Sequence, residues 1–145
     1  MTRLIDIEGI GQIYAARLEQ AGVVSIDDLL AKAGPAQGRA ALAAAADIDP
    51  KLLLEWVNHA DLMRLKGVGS EYADLLEAAG VDSCAELAGR NAANLHAKLG
   101  EANAEKRLVR RLPSRAEVEQ WIAAAAAAEK VVTHERVPSA RTRGR

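Results

Sequence analysis

Two glycine pairs are the residues of this chain best suited to bind an anion. Gly9-Ile10-Gly11 and Gly67-Val68-Gly69 each enclose one apolar residue, and a run of helix-forming residues follows each pair. Glycine permits a tight turn and has no side chain to hold off an approaching group. The first N–H groups of the following helix lack intrahelical partners and carry the positive end of the helix dipole. Both turns are therefore predicted to suit a phosphate oxygen.

The glycine pairs belong to a longer internal repeat, in which residues 65–88 match residues 7–30 at an offset of 58. In both copies Tyr-Ala follows the second glycine, and a further glycine, Gly22 or Gly80, is placed to end the helix. A repeat of this quality sets the architecture. It predicts two tandem units, residues 1–62 and 63–128, that form one compact body. A flexible basic tail, 129–145, is predicted to follow them.

The composition predicts an all-α fold. Half of the residues are hydrophobic, Phe is absent, and Ala and Leu dominate, which favours helix over sheet. Serine followed three residues later by glutamate, as in Ser83/Glu86 and Ser114/Glu117, is the pattern of a capping box. Apolar stripes place Trp56 and Trp121 in the core. The predicted helices are 12–21, 26–33, 36–46, 50–63, 70–79, 84–90, 92–99, 103–111 and 115–128.

A basic cluster lies in the C-terminal quarter of the chain. Acidic residues outnumber basic ones sixteen to nine through Glu105, whereas ten basic residues face four acidic ones from Lys106 onward. On a helix over 103–111, the i,i+4 pairs would form two basic rows while Leu108 and Leu112 turn toward the core. This face is the best polyanion candidate outside the turns, although a solvated helix end explains the same charges. The cluster comprises Lys106, Arg107, Arg110, Arg111 and Arg115.

The two repeat copies, each with its glycine pair and the Tyr-Ala that follows, resemble the helix-hairpin-helix motif of proteins that bind DNA without reading its sequence. The whole chain, over about residues 4–125, is similar to a bacterial family catalogued as domain of unknown function 4332. The resemblance implies a SAM-like tandem of short helices whose turn amides contact the DNA backbone. It also implies that turn carbonyls sometimes hold a monovalent cation, and it implies no other cofactor.

The chain departs from the DNA-binding pattern soon after the second glycine, where the resemblance implies a lysine or arginine. Ile13 occupies that position in the first copy and Glu71 in the second, and a carboxylate there would repel a phosphate. Lys66 and Arg64, just before the second glycine pair, are the candidates to compensate. The first turn is preceded by too few residues for a full leading helix. A purely structural role for the glycines competes with phosphate binding.

No catalytic or metal constellation is evident. The single cysteine, Cys84, aligns with Ile26 and is expected to be a buried apolar residue. Three scattered histidines complete no zinc pattern. Acidic residues near the start oppose a secretory signal, and the longest apolar run, 121–128, is too short for a bilayer span. These features predict a cytoplasmic, non-enzymatic protein without a membrane partner.

Three functional interpretations follow. The first is weak, sequence-independent binding of DNA, with structured RNA as the other nucleic-acid ligand. The second is a protein-interaction module in which the turns serve structure only. The third is a lyase that attacks abasic DNA through a lysine imine. The sequence carries no signal for the oligomeric state.

Overall fold

A computed structural model describes residues 3–7 and 9–133, and within these ranges the chain is all-α. A 3₁₀ turn, Leu4–Asp6, precedes eight α-helices, and the described residues contain one isolated β-bridge, between Arg3 and Ser25. The helices are α1 Gln12–Gln20, α2 Ile26–Ala33, α3 Ala36–Ala46, α4 Pro50–Met63, α5 Ser70–Ala78, α6 Cys84–Ala88, α7 Ala92–Lys106 and α8 Arg115–Ala127.

The described chain forms two compact units. One contains the described residues of 1–60 together with 131–133, and the other contains 61–130. Residues 131–133, which were predicted to belong to the tail, pack on the first unit: Ala36 N donates to Thr133 Oγ1 (2.9 Å) and Arg39 donates to Thr133 O (2.7 Å). The rest of the predicted tail, 134–145, lies outside the described residues. No helix in the described chain has the length and apolarity that crossing a bilayer requires.

The second unit buries its apolar side chains between α5, α6, α7 and α8. Leu75, Leu76, Leu87, Leu95 and Leu99 are fully buried, and Trp121 joins them at 4% exposure. With nine and five residues, α5 and α6 are too short to be stable alone, so their stability comes from this packing rather than from intrinsic propensity. The first unit has the corresponding core of α1 to α4, which includes Leu18, Leu29, Leu53 and Trp56. Both tryptophans are therefore core residues, as predicted.

Several helices begin at a residue whose side chain caps them, as the sequence indicated. Ser114 and Glu117 form both hydrogen bonds of a capping box at α8. Ser83 accepts from Glu86 N at α6, but the Glu86 carboxylate binds Arg90 instead of completing the box. At α4, Asp49 Oδ1 accepts from Lys51 N at 2.8 Å.

The predicted helix over 103–111 is wrong. α7 runs without interruption from Ala92 to Lys106, and Arg107 ends it in the left-handed conformation at φ 53°. The Asn103 side chain then binds both polar backbone groups of Val109, donating to its O (3.1 Å) and accepting from its N (3.0 Å). The side chain thus replaces the helical partners of that residue. Residues 107–114 are a non-helical connection with a bend at 110–111, and Leu112 is 40% exposed rather than turned toward the core.

Candidate nucleic-acid interface

The first glycine of each pair makes the turn. Gly9 and Gly67 have φ values of 97° and 87°, a region that side chains adopt only at a cost. A Cβ on Gly67 would lie 3.3 Å from the Trp121 indole Nε1, and a Cβ on Gly9 would lie 3.3 Å from Trp56 Nε1. These glycines are therefore required by the fold, because the chain bends directly over a buried indole.

The second glycine of each pair is in a different situation. Gly11 and Gly69 are the N-cap residues of α1 and α5, with φ of −83° and −91° and extended ψ, a conformation that any residue can adopt. A Cβ at either position would meet no heavy atom within 4 Å. Both residues are exposed, and neither helix receives a side-chain cap from its N-cap residue. Nothing in the surrounding described structure demands a glycine there.

Each turn is supported by a tyrosine in the first turn of the following helix. The Tyr14 ring lies 5.1 Å from the Trp56 ring, and the Tyr72 ring lies 5.2 Å from the Trp121 ring. The Tyr72 hydroxyl donates to the Arg111 carbonyl oxygen at 2.8 Å. The structure thereby brings the connection 107–114 to the Tyr72 side chain of α5, although 39 residues separate the bonded pair in sequence.

Of the two basic residues before the second turn, only Lys66 is exposed without an ion pair among the described residues. Arg64 donates through Nε to Asp61 Oδ1 (2.8 Å) and through Nη2 to Glu129 O (2.6 Å). The Asp61 carboxylate is almost fully buried. A buried carboxylate stripped of its partner is costly, so Arg64 is required by the fold. The expectation that it reaches toward a phosphate is not met by this geometry.

The basic cluster is divided rather than continuous. Arg111 forms a bidentate pair with Glu117, at 3.1 and 2.9 Å, and Arg115 pairs with Glu119 at 3.4 Å. Lys106, Arg107 and Arg110 are exposed and have no ion pair in the described part of the chain. Because the helix ends at Lys106, the two predicted basic rows do not exist.

Hydrogen bonding to Arg111 is the main reason that the pKa of Glu117 falls from 4.5 to about 2, and the same bond raises the pKa of Arg111. The Ser114 N–H also stabilises the Glu117 carboxylate. The pair is solvent-accessible, with the Arg111 side chain 65% exposed. Sequence reasoning missed this pair, since it read Glu117 only as part of a capping box.

Exposed apolar side chains distinguish the first unit from the second near the glycine turn. Ile13, in the first turn of α1, is 72% exposed, and Val24 and Ile5 are 54% and 42% exposed. Ile5 and Val24 line a groove of about 340 Å³ together with Ala15 and Ala16, and Arg3 and Glu19 also border it. At the positions equivalent to Ile13 and Val24, the second unit carries Glu71 and Asp82. The two turns share a backbone shape but present different surfaces.

Cys84 is a buried structural residue, as predicted. Its N–H donates to Asp61 Oδ2 (2.8 Å) and its thiol donates to Asp61 O (3.2 Å). Burial, with a further contribution from the Asp61 charge, raises the pKa of the thiol to about 11. A thiol that stays protonated at neutral pH is a poor nucleophile and metal ligand. The Asp61 carboxylate, which sequence reasoning overlooked, holds both Cys84 and Arg64.

The chain belongs to the family described as Domain of unknown function (DUF4332), whose model matches residues 8–128. This match covers both units and both glycine turns. Comparisons with curated proteins and with solved structures gave no match.

Proposed function

We propose that this protein binds nucleic-acid duplexes weakly and without reading sequence, through the backbone of its second glycine turn. In this proposal the two units are tandem helix-hairpin-helix units. The N–H groups at the start of α5 receive a phosphate oxygen, while Lys66 and Arg110 add positive charge beside the turn. Arg107 and Lys106 extend the charge along the end of α7.

The observation that carries the proposal is the glycine at position 69. It needs no positive φ, and a side chain there would meet no neighbouring atom within 4 Å. At an N-cap, Ser, Thr, Asp or Asn would stabilise the helix at least as well. Glycine supplies no side-chain cap of its own at this position. Such a residue is favourable when an external anion supplies the cap.

The direct test is a titration of a short labelled DNA duplex at several salt concentrations, with single-stranded DNA and duplex RNA in parallel. If about four phosphates are engaged, log affinity should fall with log salt at a slope of about −3 to −4. A flat salt response, or no binding at low salt, would refute the proposal. Arg110→Glu should weaken binding, because it reverses an exposed charge next to Arg111 in the chain.

Glu71→Lys is expected to tighten duplex binding. Glu71 is exposed in the first turn of α5, where its carboxylate repels an approaching phosphate. Replacing it with lysine should raise affinity roughly three- to tenfold at low salt and steepen the salt slope by about 0.9, the value for one further phosphate. Glu101→Lys is the matched control, since Glu101 lies near Gly80 at the opposite end of α5. Equal tightening by both variants would indicate a net-charge effect only.

A second candidate function, protein interaction, is favoured by the exposed apolar surface of the first unit. Ile5, Ile13 and Val24 are large apolar side chains that face solvent near the first turn. Such a patch is a common location for a protein partner. The two functions are compatible, because the apolar surface and the second glycine turn belong to different units.

Ile13→Glu combined with Val24→Asp tests this second function. The double variant copies the residues of the second unit, whose fold accommodates them as exposed side chains, so stability should change little. The wild-type protein is expected to retain a partner at constant stoichiometry after nuclease treatment, and the variant is expected to lose it. Identical co-purification by the two proteins, or no retained partner, would refute a role for this surface.

A further inference from the structure

We propose that Glu117 is an internal competitor for the phosphate that the second turn binds, and that Arg111 exchanges Glu117 for that phosphate on binding. This inference rests on the proposed function. It adds one phosphate-binding residue, Arg111, and one residue that limits affinity, Glu117. It gives a role to the bidentate arginine pair whose backbone carbonyl binds the Tyr72 hydroxyl.

The first support is the position of Arg111. Its carbonyl oxygen accepts from the Tyr72 hydroxyl at 2.8 Å, and Tyr72 is the third residue of α5, in the helical turn that carries the candidate amides. The nearby Val109 is fixed by Asn103, and Pro113 O accepts a hydrogen bond from His96 Nε2 at 3.1 Å. The backbone of Arg111 is therefore held beside the Tyr72 hydroxyl, and the residues on both sides of it are anchored to α7, while its side chain is 65% exposed.

The second support is the geometry of the pair. Arg111 Nη1 and Nη2 donate to the two Glu117 oxygens at 3.1 and 2.9 Å, which is the parallel two-bond arrangement. A phosphate presents two oxygens to a guanidinium in the same arrangement. A solvent-exposed pair of this kind is weak enough to open when a polyanion approaches.

The third support is that Glu117 has other partners when Arg111 leaves. Its carboxylate accepts from Ser114 N at 2.8 Å, and its own N–H donates to Ser114 Oγ at 3.1 Å. The capping box therefore keeps the start of α8 intact after the exchange. Glutamine also completes a capping box, so Glu117→Gln removes the charge and preserves the helix start.

A double-mutant cycle tests the exchange, with the same labelled duplex as probe. Glu117→Gln should tighten binding about three- to fivefold, because an exposed ion pair is worth at most roughly that factor. Arg111→Gln should make the salt slope less negative by about 0.9, the value for one lost phosphate contact. In the Arg111→Gln background, Glu117→Gln should have no effect. Glu119→Gln, which breaks the Arg115 pair on the same helix, is the control for charge and should change affinity less than about twofold.

Each outcome has a distinct meaning. Tightening by Glu117→Gln that disappears without Arg111 supports the exchange. Equal tightening with and without Arg111, or equal tightening by Glu119→Gln, overturns it in favour of net charge. A wild-type protein that binds while Glu117→Gln binds identically overturns the exchange and leaves the proposed function intact. Binding by neither protein overturns both.

Discussion

Gly69→Asp is expected to weaken duplex binding by about tenfold or more, which corresponds to roughly 1.4 kcal/mol of binding free energy. The aspartate carboxylate would accept hydrogen bonds from the first N–H groups of α5 and so occupy the place proposed for a phosphate oxygen. It would also add a negative charge at the point where the DNA backbone approaches. The measurement is the duplex titration at low salt.

Folding should survive this substitution. Gly69 has the extended conformation of an ordinary N-cap residue, and a Cβ there has open space around it. Aspartate is a favourable N-cap, so the free energy of unfolding should be unchanged or rise by a few tenths of a kcal/mol. Thermal unfolding of the same preparation checks this.

Two matched variants isolate the cause of the lost affinity. Gly69→Asn provides the cap without the charge and should weaken binding by less than Gly69→Asp. Gly11→Asp makes the same change in the first unit and should leave duplex binding close to wild type. If Gly69→Asp binds as wild type, or if it lowers stability substantially, the glycine serves the turn and the amides are not the binding site.

Trp121→Ala is expected to be the most destabilising single change in the second unit, at about 3–5 kcal/mol. The side chain is 4% exposed, packs against the Tyr72 ring and lies directly beneath Gly67. Its removal leaves a large cavity under the turn as well as in the core. Urea unfolding followed by circular dichroism measures the loss.

Ile122→Ala is the control for Trp121→Ala. Ile122 is the next residue on α8 but is only partly buried against the same core. Its loss should cost about 1–2 kcal/mol, less than full burial of such a side chain would imply. Comparable losses from the two substitutions would contradict the role assigned to the indole under the turn.

Much of the fold was accessible from sequence because its signals are local. Ser114 and Glu117 are three residues apart and mark the start of α8 without reference to any other segment. Gly22 and Gly80 follow α1 and α5 with φ of 88° and 94°, the conformation that ends a helix. The i,i+3 and i,i+4 spacing of apolar residues likewise placed both tryptophans in the core.

The prediction for 103–111 failed because a side chain competed successfully with the helix. Basic residues and leucines at 106–112 have good helical spacing, and propensity alone favours continuation. The Asn103 side chain nevertheless hydrogen-bonds to both N and O of Val109. Arg107 adopts a left-handed conformation, which ends the helix. The periodicity of apolar and basic residues cannot predict such a side-chain hydrogen bond.

Residue order alone was enough to specify most helices, the repeat and the two glycine turns, since each depends on residues within a few positions of one another. Which charges remain available at the second turn depends instead on the packed helices. Arg64 is held by Asp61 and by Glu129 O, and Arg111 is held by Glu117, whereas Lys66 stays exposed. The physical reason is that a charge is neutralised by whatever lies within a few ångströms of it. How the helices pack decides which group lies next to each charge, and no local sequence pattern predicts it.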